Sequence, residues 1–131
     1  GKKMSKTVYD TRFFIEHYYS GNEEVLRKTK EEMRKTKERF ISAIVVHELF
    51  QLTLRQEGRE TAVLRTNLLE KDFRVVDVDS EIAKSSAELR FKYKTSMADS
   101  IIAATSLILN ATCLSDDPHF EVIKEIKTRW I

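Results

Sequence analysis

The sequence is sparing with everything that staples or interrupts a chain: one cysteine, one proline and three glycines in 131 residues. The lone Cys113 excludes an intramolecular disulfide and a cysteine-built zinc cluster, and such usage suits a reducing cytoplasm. With so few glycines there is no G-x-G-x-x-G or Walker A segment, so a dinucleotide or nucleoside-triphosphate cradle of that kind is not expected. The longest nearly uncharged run, Ile101 to Ser115, is too short and too polar to span a bilayer, and no membrane association is expected. Lys2 and Lys3 are not followed by an apolar stretch, so no secretory signal is read there. Gly1 to Ser5 are set aside from the fold as disordered or a remnant of expression. Charge of one sign is also lacking: 23 basic against 21 acidic residues leave +2, which does not mark a nucleic-acid binder.

What remains is enough for one compact core. At 41% hydrophobic and 34% charged residues the chain is too apolar for disorder, and its length predicts a single domain over residues 1–131. Breakers being rare, helix should dominate. A β-type run, Thr7 to Tyr9, ends at Asp10, and Phe13, Phe14, His17 and Tyr18 then recur at helical spacing. Gly21-Asn22 predicts a turn with Asn22 as helix cap, and the charged stretch to Glu38 reads as a mostly solvated helix. Further strands are predicted at Phe40 to Ile44, Phe73 to Val76 and Ala111 to Leu114, with a possible edge strand at Lys127 to Ile131. Helices are predicted over Val46 to Glu57, Arg59 to Lys71, Ser80 to Tyr93 and Ala98 to Leu109, with a short helical stretch from Pro118 to Glu125. In the Ser80 helix the apolar stripe reads Ile82, Ala83, Ala87 and Leu89 or Phe91. The Ala98 helix is apolar on nearly every face and should be enclosed. Strands separated by helices predict an α/β three-layer sandwich with a central parallel sheet of four to five strands.

In such sheets ligands bind beyond the carboxyl ends of the strands. Asp10 closes the first strand, and Asp116-Asp117 closes the fourth, after Thr112-Cys113-Leu114-Ser115. Glu48 sits in the apolar run Ile44-Val45-Val46-His47-Glu48-Leu49-Phe50, and Asp99 opens the enclosed helix as Met97-Ala98-Asp99-Ser100. A carboxylate on an apolar element costs several kcal/mol unless compensated, and a divalent cation compensates it. Oxygen ligands without cysteine or a histidine pair select Mg²⁺ or Mn²⁺ over zinc. Each acid also has a purely structural reading. Asp10 and Asp117 fit helix N-caps, the latter followed by Pro118; Asp99 fits a capping box from Ser96; Glu48 fits an exposed helix face.

Taken together, the four segments resemble the PIN-domain ribonucleases, and within them the VapC-like toxin branch, over nearly the whole chain. Val8-Tyr9-Asp10-Thr11 resembles the opening strand and first acid, and Ile44 to Leu49 the helix with the second. Met97 to Thr105 is similar to the third-acid motif, the most specific of the four. Ser115-Asp116-Asp117-Pro118-His119-Phe120 resembles the Thr-x-Asp-x-x-Phe segment, with Asp117 as fourth acid, Ser115 for the commoner Thr and Asp116 at the variable position. Arg12 stands where the family often has Asn. The resemblance implies Mg²⁺- or Mn²⁺-dependent endoribonuclease activity, with Asp10, Asp99, Asp117 and Glu48 as catalytic and metal-binding residues and Glu48 also able to position the attacking water. Thr11, Ser115 and Asp116 would support them. It further implies an RNA substrate, a small antitoxin partner and a homodimer, in a cytoplasmic toxin.

Competing readings are a non-catalytic module keeping the fold and a housekeeping RNA-processing nuclease; the presence of all four acids favours an enzyme. A zinc-protease reading of His47-Glu48 fails because position 51 is Gln. Lys30, Arg34 and Lys37 share one helix face and offer RNA backbone contact, although a solvated face accounts for them as simply. His119 falls near the proposed pocket, whereas Cys113, Tyr93 and Trp130 read as packing residues.

Overall fold

The computed structural model describes residues 5–131, so the reading of the first four residues lies outside it. The element order is β1 (Lys6–Tyr9), α1 (Thr11–Tyr19), α2 (Glu23–Lys35), β2 (Glu38–Ser42), α3 (Ala43–Glu57), α4 (Arg59–Asp72), β3 (Arg74–Val76), α5 (Ser80–Tyr93), α6 (Met97–Leu109), β4 (Thr112–Leu114), α7 (Pro118–Glu121) and β5 (Lys127–Arg129). All five strands are parallel, in the order β3-β2-β1-β4-β5. The chain therefore builds outward from β1 on one side, then returns to add β4 and β5 on the other. This reversal sets the carboxyl ends of β1 and β4 side by side, with Tyr9 paired with Leu114, at the kind of switch point where parallel sheets bind ligands.

Period-two alternation along β1 explains how both sheet faces become buried. Thr7 and Tyr9 face α2, where they meet Arg129 and Glu32, while Val8 is fully buried on the other face. There α6 lies across β1, β2 and β4, with α5 packed on its outer side. Residues Ser100 to Ser106 of α6 are all buried, which accounts for a helix that is apolar all round. A cluster of Tyr9, Phe13, Phe14 and Phe73, with ring centroids 4.9 to 6.3 Å apart, closes the α1 side of the core.

Several boundaries and faces differ from the sequence expectation. The second strand begins at Glu38 rather than Phe40 and ends at Ser42, whose hydroxyl caps α3 by accepting the Ile44 backbone N–H at 3.2 Å. The short helix stops at Glu121, and β5 spans only Lys127–Arg129. In α5 the buried stripe is Ile82, Ser86 and Leu89; Ala83 and Ala87 are exposed and Phe91 is 88% exposed. Ser86 is inside because its hydroxyl shares a 2.9 Å hydrogen bond with Ser100 of α6, which satisfies both. Nor is α2 wholly solvated: Thr29 and Glu32 are buried beneath it. Among the described residues, no helix is long and apolar enough to cross a membrane.

Candidate active site

Asp10 follows β1 directly and is 4% exposed. Its backbone N–H donates to the Leu114 carbonyl at 3.1 Å, and the Ser115 N–H donates to the Arg129 carbonyl at 3.0 Å, so the three strands are still tied together where the acids begin. The Asp10 side chain caps no helix. Instead its Oδ2 accepts the Ser115 hydroxyl at 2.6 Å, and the same Ser115 oxygen accepts the Asp117 backbone N–H at 3.0 Å. One serine thereby fixes the first acid and the loop that carries the fourth. The Thr11 hydroxyl donates to Glu48 Oε1 at 2.6 Å, so Glu48, half-buried on α3, is held toward the start of α1 rather than released to an exposed face.

Asp99 and Asp117 complete the cluster, and each also serves the helix it begins. The Asp99 backbone N–H donates to Ser96 Oγ at 3.1 Å, and Asp117 Oδ1 accepts the His119 N–H at 2.9 Å ahead of Pro118. The Asp99 cap uses its backbone N–H rather than its carboxyl, so the expected reciprocal capping box is only half formed, and the Asp117 cap uses one carboxyl oxygen. Asp99, Asp117 and His119 each offer one ligand atom within 4.8 Å of the other two. Asp116 points elsewhere: its Oδ1 accepts Arg12 Nε at 3.1 Å, and Arg12 also pairs with Glu16 at 3.3 Å. Arg12 at its unusual position thus engages the variable acid and keeps it apart from Asp117.

Lys30 and Arg34 lie on α2 but Lys37 falls beyond its end at Lys35, so the three do not share one helix face, and none is gathered with the acids. Lys37 immediately precedes Glu38, which pairs with Lys6 at the amino edge of the sheet, a strand length of about 13 Å from the Asp10 edge. Arg34 is bound to Glu31 at 2.6 Å, while Lys30 lies exposed nearer the middle of the helix.

The electrostatics of the acidic edge are those of carboxyls facing one another. Burial pushes the Asp10 carboxyl up to about 6; the charges of Asp99 and Glu48 add to this, while Ser115 and the Thr11 backbone N–H oppose it. Burial likewise raises Asp99, helped by Asp117 and Glu48 and opposed by Ser96 and His119. Four carboxylates with one imidazole at the rim and no thiolate are a donor set that fits a hard divalent cation of the Mg²⁺ or Mn²⁺ type. Clustered carboxyls with perturbed pKa values of this kind make the cluster a candidate functional site.

Comparison with known proteins agrees with the geometry. The PIN domain family model matches residues 7–126. No curated protein sequence matches the chain. Among solved structures, the promoter-DNA-bound VapBC2 complex of Rickettsia felis aligns with TM-score 0.77 at 15% identity, covering 95% of this chain and 98% of the other. The DNA-bound VapBC of Salmonella typhimurium gives 0.78 at 18% identity over 97% and 98%. Mycobacterium tuberculosis VapC20, described as a sarcin-ricin loop cleaving toxin, gives 0.72 at 18% identity over 93% and 99%. At these identities the solved structures establish the fold, and the family model establishes the lineage: the chain belongs to the PIN domain family.

Proposed function

We propose that this chain is a divalent-cation-dependent endoribonuclease acting as the toxin of a two-component toxin–antitoxin pair in the cytoplasm. The observation that carries the reading is the meeting of Asp10, Glu48, Asp99 and Asp117 at the carboxyl edge of β1 and β4, with Asp10 raised by burial and by Asp99 and Glu48, and Asp99 by burial and by Asp117 and Glu48. Asp99 and Asp117, which each offer an oxygen within 4.8 Å of the other, would hold the cation together with Asp10. Such a site would let Mg²⁺ or Mn²⁺ offset the phosphate charge and lower the pKa of the attacking water. Glu48, steadied by Thr11, accepts a proton from water that attacks phosphorus in line; a P–O bond of the RNA breaks as the new one forms. Ser115 keeps Asp10 and the Asp117 loop in register, so the carboxyls need not reorganise during the reaction. Asp116 supports the site from outside by holding Arg12.

The toxin role draws on the VapBC complexes of Rickettsia felis and Salmonella typhimurium, and the RNA target on the description of VapC20. A small antitoxin and a second copy of the chain are the partners in this reading, and exposed Phe91 and Met97 provide apolar surface for such contacts. Lys30 and Arg34 on α2, with Lys37 just beyond it, run toward the amino edge and serve as nonspecific contacts for a strand that extends beyond the acids.

The test is cleavage of single-stranded RNA, with transfer, ribosomal and messenger RNA in parallel, in Mg²⁺ or Mn²⁺, in EDTA, and by identically purified Asp99→Asn protein. Metal-dependent cleavage that falls by at least ~100-fold in the variant is the expected result. Equal cleavage by both proteins would move the activity to another site, and none from wild type on any of the RNAs would favour a non-catalytic binding module.

A further inference from the structure

His119 has no place in the four-acid reading, yet it stands within the cluster. Its Nδ1 lies 3.0 Å from Asp117 Oδ1 and 3.9 Å from Asp99 Oδ2. The backbone around it is firmly placed. Pro118 fixes the first residue of α7, Asp117 caps the His119 N–H, and the next residue, Phe120, is fully buried in the core. The ring itself is 72% exposed, and among the described residues its close polar neighbours are these two carboxylates. Ligand bonds of about 2.1 Å place neighbouring donors about 3 Å apart around an octahedral cation and opposed donors about 4 Å apart. The two distances from Nδ1 fall within that span, and the Asp99 and Asp117 oxygens lie within 4.8 Å of each other.

We propose that the His119 ring nitrogen is a ligand of the cation held by Asp99 and Asp117, making this a mixed nitrogen–oxygen site that favours Mn²⁺ over Mg²⁺. The inference rests on the reading of the acidic cluster as a cation site and deepens it. Mg²⁺ is small, hard and slow to give up water for anything but oxygen, whereas imidazole nitrogen suits transition ions. A single histidine among carboxylates therefore shifts preference more than it shifts total affinity. Asp117 Oδ1, which already accepts the His119 backbone N–H, is shared between cap and site. That shared oxygen ties the ring to the cation position through one short turn of chain.

The full-length chain, its His119→Gln variant and its Asp99→Asn variant would each be titrated with Mn²⁺ alone and Mg²⁺ alone by calorimetry. The Mn²⁺-loaded samples would also be examined by pulsed EPR for directly coordinated nitrogen. Wild type should show nitrogen coupling that His119→Gln lacks. Mn²⁺ affinity should fall about tenfold in that variant while Mg²⁺ affinity changes less than about twofold. Bound Mn²⁺ without nitrogen coupling in wild type, or equal loss of both cations on His119→Gln, would overturn the proposal. Asp99→Asn separates the two levels. If it removes cation binding while His119→Gln changes nothing, the inference fails and the acidic site stands; if neither variant alters binding, or wild type binds no Mn²⁺, both fail.

Discussion

Two groups of carboxylates flank the end of β1, and they are built on opposite principles. Tyr9 points to one face of the sheet and leads to Glu32, 1% exposed, which receives Tyr9 Oη at 2.7 Å, Thr36 Oγ1 at 2.6 Å and two Arg129 nitrogens at 2.6 and 3.0 Å. Burial alone would push the Glu32 carboxyl up, but the hydrogen bonds from Arg129, Thr36 and Tyr9 outweigh it and hold it below its ordinary value. Asp10, the very next residue, opens the other group and is pushed up to about 6 by burial first and then by the charges of Asp99 and Glu48. Glu32 is a structural charge matched by a guanidinium that reaches back from β5. The acidic edge, in the function proposed above, is a charge left for a cation from outside the chain to match. Burial of a carboxylate therefore does not by itself mark a site; what differs here is that Glu32 is held by a bidentate guanidinium, whereas Asp10 is not hydrogen-bonded to a basic side chain among the described residues.

The strongest way to break this contrast is to remove the matching cation. Arg129→Ala leaves Glu32 buried and uncompensated and should destabilise the chain by about 3 kcal/mol in urea unfolding at pH 7. A loss below about 1 kcal/mol would mean that the pair is not a structural clamp.

Asp10→Asn should act in the opposite direction. The folded Asp10 carboxyl titrates near 6 against an ordinary 3.8, so between those values the folded chain binds more protons than the unfolded one, and stability falls as pH rises through the window. Removing the charge should stabilise the protein by about 2 kcal/mol at pH 7 and flatten that fall. Glu32, held low, contributes stability that is present above 4.5 and lost as pH drops through its lowered folded value, so Glu32→Gln should weaken the protein at neutral pH. Urea unfolding of the two variants across pH 3 to 8 would read both slopes, and parallel profiles would erase the distinction.

The smallest effect sharpens the comparison from the solvent side. Arg34 and Glu31 form an exposed pair at 2.6 Å, and Arg34→Ala should leave the urea midpoint of unfolding where it is. Good geometry at the surface would then be seen to stabilise far less than the Arg129 pair.

The acids that now lie together were legible because each stood at a strand end or on an apolar element, where a charge needs a reason. Asp10, Glu48, Asp99 and Asp117 fell at such positions, and short motifs surrounded them. Glu32 was not legible: it lies among Lys28, Lys30, Glu31, Arg34 and Lys35, and nothing in that polar helix distinguishes the one glutamate turned inward. Its partners Tyr9 and Arg129 are 23 and 97 residues away, a separation that local periodicity does not report. The same limit produced the misread face of α5. There Ala83, Ala87 and Phe91 look like a stripe by hydrophobicity, whereas the seam with α6 is made by Ser86 and Ser100.

The sequence by itself determined the alternation of strands and helices, the enclosed sixth helix and the four acids at the carboxyl edge. These follow from period, burial cost and turn chemistry, which act over a few residues. Only the tertiary structure decided that Asp117 rather than Asp116 faces Asp99, that Ser115 joins Asp10 to the fourth acid's loop, and that His119 leans onto the pair. The choice between adjacent aspartates required Arg12, over a hundred residues earlier, to take one of them. A preference set by a partner that distant exists only once the sheet has brought β1 and β4 side by side.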